Sequence, residues 1–262
     1  WINTLFWTFC GQSEPLFSAI KGLKESSEWN KLDEAQKRAV NDRLLSAELS
    51  GIGLPSQKRK KFNALAQELS ELETRFSNHV LDATKAYFLK LTKEEEVEGL
   101  PQSALNLASQ VCNQRFPDEK STPQKGPWLI TLEAPSFIPF MENCKNRKLR
   151  ETLYNAFITR ASSGEFDNTP LIRRILQIRL EKARLLGYEN YAQVSLSRKM
   201  ATSEKEVYAL EEELRAPSWK AAKEELQELT DFAKKEGVQE ELLHWDMAFW
   251  AKRLQENKFQ FN

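Results

Sequence analysis

Between Phe62 and Phe88 the chain reads FNALAQELSELETRFSNHVLDATKAYF, with Phe62, Leu65, Leu69, Leu72, Phe76, Val80, Ala83 and Tyr87 recurring at intervals of three and four. That spacing puts them on one stripe of an α-helix. Pro55 suits a first turn, and no Pro or Gly follows until Gly99, so the pattern predicts a helix from about Ser56 to Leu91. At about 1.5 Å per residue such a helix is on the order of 50 Å long. A rod of that length with a single apolar stripe does not stand alone, because its stability comes from packing the stripe. The stretch therefore predicts an array of helices built against it.

The rest of the chain supplies such helices. Ser13-Glu14-Pro15 opens one that runs to about Lys24, and a second runs from about Asp33 to Gly51. Further helices are expected over Ser103 to Asn113, Ser136 to Cys144, Asn146 to Ala161, Asp167 to Gly187, Ser203 to Gly237 and His244 to Glu256. Pro217 lies inside the longest of these and predicts a kink or break near Ala216. Trp128-Leu129-Ile130-Thr131-Leu132 is strand-like and needs a partner, either the segment Ala86 to Leu91 or one outside the sequence. With 40% hydrophobic residues and nine glycines, the fold class is mostly α with at most a minor strand element. Residues 11–262 read as one helical domain with a sub-boundary near 92–126. The opening WINTLFWTFC, residues 1–10, stands apart as an apolar segment too short to span a bilayer. The chain starts at Trp1, so its native start is expected to have been processed, trimmed or left out.

Charge and cysteine usage exclude several function classes. Thirty-eight basic residues balance thirty-eight acidic ones, so no overall field favours nucleic acid or an anionic membrane. Cys10, Cys112 and Cys144 form no CxxC and fit a reducing compartment, cytoplasmic or organellar, rather than a secreted disulfide framework. The histidines are His79 and His244, and neither has the partner four residues away that a HExxH zinc site requires. His79 reads as structural or surface-exposed, and His244 as a capping or packing residue. No GxSxG, GxGxxG or GxxxxGK occurs. Gln57 to Lys61 and Glu94 to Glu98 read as solvated charge runs. The remaining candidates for a peptide-lining groove are Tyr154, Arg160, Ser162, Ser163 and Gly164, set against the plainer reading of an ordinary helix terminus.

Six stretches together resemble one family: FNALAQELSELETRFSNHVLDATKAY, EVEGLPQSAL, GPWLITLEAPSFIPFM, NRKLRETLYNAFITRASSGEFDNTPLI, LEKARLLGYENYAQVSL and HWDMAFWAKRL. In this order they resemble the N-terminal half of the M3 zinc oligopeptidases. The similarity is to the oligopeptidase A branch of bacteria and plant organelles, with thimet oligopeptidase and neurolysin more distant. WINTLFWTFC departs from that family's approach to Gly11-Gln12-Ser13. The resemblance implies the N-terminal lobe of a two-lobed helical peptidase, whose deep channel admits short peptides. It also implies that zinc and its HExxH ligands belong to a catalytic part downstream, so that this chain carries no catalytic or metal residue and no cofactor. Three functions follow as expectations: a truncated, non-catalytic protein that binds a peptide or protein partner; a fragment of an intact zinc oligopeptidase; and a helical adaptor. Each leaves apolar surface bare, which predicts self-association or a partner.

Overall fold

The computed structural model describes residues 12–259, so the apolar segment WINTLFWTFC lies outside the described residues. Among the described residues the fold comprises ten α-helices and one two-stranded sheet. In chain order these are α1 (Glu14–Glu25), α2 (Glu34–Leu49), α3 (Ser56–Ala86), β1 (Leu89–Leu91), α4 (Gln102–Arg115), β2 (Trp128–Ile130), α5 (Ala134–Asn143) and α6 (Arg147–Ile158). They continue with α7 (Thr169–Leu185), α8 (Tyr191–Leu196), α9 (Glu204–Lys235) and α10 (His244–Phe259). The backbone divides into two units, one of residues up to Ser77 with Thr169–Glu213, the other of Asn78–Asn168 with Leu214–Asn262. Two of the three dividing points fall inside helices, α3 and α9, and the third falls at the start of α7.

In the first unit the stripe on α3 finds its partner in α7. Leu65, Leu69 and Leu72 pack with Leu171, Ile175 and Ile178, flanked by Phe76 and Leu185. Each fully buried aliphatic side chain contributes roughly 1.5–3 kcal/mol, so this seam outweighs the surface ion pairs beside it. Those pairs nonetheless align the helices. Glu68 accepts both a 2.6 Å bond from Arg174 Nε and a 2.7 Å bond from its Nη2, and Glu73 accepts from Arg179 Nη2 at 2.8 Å. The Arg174 bond holds the Glu68 carboxyl below the usual glutamate range. At the start of α2, Asp33 accepts from the Gln36 N–H (2.8 Å) while the Gln36 side chain accepts from the Asp33 N–H (3.1 Å), a reciprocal capping box.

In the second unit the remaining turns of α3 end at Ala86, five residues before the expected end at Leu91. The reason is tertiary. Leu89, Lys90 and Leu91 leave the helix to pair antiparallel with Ile130, Leu129 and Trp128. The strand-like run thus has its partner in the segment proposed from the sequence. Leu91, Trp128 and Ile130 are nearly inaccessible and pack with Phe140 and Leu153 at the centre of the largest core cluster. Ala104 and Ala108 present a small-residue face of α4 to the same cluster. Cys144 is buried there, and burial pushes its thiol up to about 11, which leaves it unreactive at neutral pH. Helix α9 continues through Pro217 instead of breaking. Proline removes the bond to the Glu213 carbonyl, but both residues are exposed, so the lost bond leaves no buried polar group.

Candidate functional site

The five groove candidates do not converge. Tyr154, on α6, is half-buried and lies parallel to His244 at 6.1 Å between ring centroids, with Trp245 tilted against it at the same separation. Arg160 folds back on its own helix, its guanidinium 3.8 Å over the Phe157 ring and its Nη1 donating to the Phe157 carbonyl at 2.5 Å. The Ser162 hydroxyl donates to Thr159 O at 2.6 Å, and Ser163 precedes the short 3-10 turn Gly164–Phe166. Gly164 adopts φ +67° with open space where a Cβ would stand, so glycine serves the backbone there and not a close approach. The tail of α6 is thus a satisfied helix terminus, and Tyr154 belongs to an aromatic cluster with the start of α10.

One residue of that tail is strained. Ala161 has φ +55°, the left-handed region that a Cβ disfavours by about 1 kcal/mol. Ala161→Gly is expected to raise stability by roughly 0.5–1 kcal/mol in urea denaturation; a loss on that substitution would show that the turn is held by the alanine side chain.

Beside Tyr154 stands a buried polar cluster of the second unit. Asn146 caps α6 by accepting from the Leu149 N–H, and one turn brings Arg147 and Arg150 to the same side of the helix. Both reach Asp246 in the first turn of α10. Arg147 donates through Nε (3.1 Å to Oδ1, 3.0 Å to Oδ2) and Nη2 (2.8 Å to Oδ2), and Arg150 Nη2 donates to Oδ1 at 2.7 Å. Asp246 also accepts from the Leu243 N–H at 3.0 Å, closing the helix start. Arg147 pairs in addition with Glu240, and the Arg150 guanidinium lies 4.0 Å over the Phe249 ring. Burial pushes the Asp246 carboxyl up, but the bonds from Arg147, Leu243 and Arg150 outweigh it and hold the group below the usual aspartate value. Every acceptor position of this carboxylate is used, so the cluster positions α10 and offers no free acid or base. Sequence reading missed it, although the arginines' three-residue spacing was visible.

Residues 140–262 match the model of Peptidase family M3, and residues 3–59 match the Neurolysin/Thimet oligopeptidase N-terminal domain. The chain is 49% identical over 254 residues to Probable cytosolic oligopeptidase A of Arabidopsis thaliana, a match covering 96% of this chain and 36% of that protein. This chain belongs to peptidase family M3. It is 48% identical to the Organellar oligopeptidase A, chloroplastic/mitochondrial, of the same plant, over 96% of this chain and 32% of that protein. It is 38% identical to Oligopeptidase A of Salmonella typhimurium, over 97% of this chain and 37% of that protein. The M3 chain thus spans about a third of the length of the curated relatives it matches. The N-terminal-domain match begins at residue 3 and takes in most of the opening WINTLFWTFC.

The zinc that the family implies finds no cluster of ligands among the described residues of this M3 chain: no group of three or more His, Cys, Asp or Glu there could hold a metal ion. His79 sits edge-on to Phe166 at 6.2 Å, and its Nδ1 is buried with no hydrogen-bond partner. His244 stacks on Tyr154. Both imidazoles are engaged in aromatic packing, and the described residues do not fit a zinc site. No catalytic step is routed through them.

Proposed function

We propose that this chain is the helical, non-catalytic part of an M3 oligopeptidase: it presents surface to a short peptide or a protein partner, and hydrolysis draws on residues other than these 262. The observation that carries the reading is the match along 96% of the chain to a protein named oligopeptidase A that is nearly three times as long. The aromatic group of Tyr154, His244 and Trp245 is the surface best suited to a peptide, since a half-buried ring offers contact area at little entropic cost. Arg160, Ser162, Ser163 and Gly164 lie in the turn that follows the end of the same helix. The relatives' names place them in the cytosol or in organelles, and we assign this chain to one of those compartments. Buried, unpaired Cys112 and Cys144 agree with that assignment. Among the described residues no helix is long and apolar enough to cross a membrane.

A second reading, that the chain is one piece of an intact zinc oligopeptidase hydrolysing short peptides, draws on the same one-third coverage. Both readings expect this chain alone, supplied with zinc, to leave a quenched fluorescent peptide uncut and to retain less than stoichiometric metal. Turnover accompanied by one zinc per chain would overturn them.

A further inference from the structure

Within the second unit, the stretch of α9 from Ala222 to Leu229 and the last turns of α10 line an open groove of about 460 Å³. Its apolar lining includes Ala222, Leu226 and Leu229 from α9 with Ala251 and Leu254 from α10, and Phe259 stands at its end. Leu229 and Leu254 also belong to the small cluster that joins these helices, so the groove is an opening in a core. Above it α9 is bare. Every residue from Leu214 to Glu228 is exposed, among them Leu214, Trp219 and Leu226, and Leu226 and Phe259 are 49% and 60% exposed. Isolated exposed leucines are ordinary, but an apolar run along one helix that continues into a groove marks a docking surface.

What occupies it follows from position. The groove closes at Lys258 and Phe259, the last turn of α10, and the family match runs through residue 262 into relatives nearly three times as long. Polypeptide continuing from the end of α10 would start beside the groove, at an effective concentration on the order of millimolar for folding back into it. We propose that this groove seats the segment that follows the matched region in full-length M3 oligopeptidases, through the apolar face of a helix. The rim defines that face further. Glu228 is already paired with Lys258 at 2.6 Å, which leaves Glu225 to receive a basic side chain from the incoming helix. The inference rests on the reading that hydrolysis draws on residues other than these, but it is read by protection and stability and not by turnover.

The test joins residues 1–262 to the part of the Arabidopsis cytosolic relative that follows its matched region, and compares that chimera with this chain alone. Amide exchange at 222–229 and 251–259 is expected to slow at least about tenfold in the chimera. Leu226→Glu is expected to lower the chimera's melting temperature and leave that of the isolated chain unchanged, because Leu226 is exposed there; Phe259→Ser serves as the second variant. Equal exchange in both proteins, a chimera that does not fold, or Leu226→Glu lowering both melts alike would each overturn the proposal. So would protection in the isolated chain that rises with its concentration, which would make a second copy the occupant. Turnover by the isolated chain would sink the functional reading, while the groove would still stand or fall on these protection data.

Discussion

Asp246→Ala is expected to cost about 3–5 kcal/mol, because it leaves a buried guanidinium without its counter-charge. Asp246 is fully inaccessible and Arg150 is 2% exposed, so water cannot replace the lost carboxylate. The variant would leave Arg150 only the carbonyls of Cys144, Lys145 and Trp245, with the Phe249 ring above it. Arg147 suffers less, keeping Glu240 and the Glu241 carbonyl. Replacing both partners, Arg150→Met with Asp246→Leu, is expected to recover most of the loss, since the desolvation cost disappears along with the attraction. The pH dependence has a definite sign. The folded carboxyl titrates below the usual aspartate value, so its contribution is fully present above about pH 4 and is lost as pH falls through the lower, folded value. Urea denaturation of the wild type and Asp246→Ala from pH 7 into acid measures both effects, and the difference between them should shrink only below about pH 4. A variant within about 1 kcal/mol of wild type at pH 7 would mean that the cluster does not hold α10 in place.

What the sequence revealed, and what it withheld, follows from the range of each interaction. The α3 stripe was legible because its spacing is local, and Leu65, Leu69 and Leu72 are buried as the period requires. The end of α3 was not, because Leu89 to Leu91 carry no turn signal and leave the helix only to pair with residues about forty positions away. Asp246 reaches Arg147 and Arg150 across sequence separations of 99 and 96, which no periodicity reports. The groove candidates fail to converge for a local reason. Tyr154 sits inside α6 and meets the start of α10, while Arg160 lies two residues past the end of that helix and folds back on Phe157. Family membership needed none of these contacts, since six motifs in order carried it.

Trp128→Ala tests the other long-range element and is expected to cost about 3–5 kcal/mol. Trp128 lies opposite Leu91 in the β1–β2 pair, 1% exposed, with its indole N–H donating to the Pro123 carbonyl at 3.0 Å. Gly126 lies against the ring so closely that a Cβ there would stand 2.7 Å from it, so backbone as well as side chains has formed around the indole. A cavity so lined closes poorly. Strand residues fixed by cross-strand bonds and alanines on a regular helix have no longer side chains to swing inward. Trp128→Phe is expected to fall between, at roughly 1–3 kcal/mol, because it keeps most of the ring contact but leaves a smaller void and an unanswered carbonyl. Against a typical stability of about 5–15 kcal/mol, the alanine variant should unfold at much lower urea. If it instead unfolds within a few tenths of a molar of wild type, the short strand pair is an ornament on the helices. A large shift would make it the fixed point where α3 ends and the core begins.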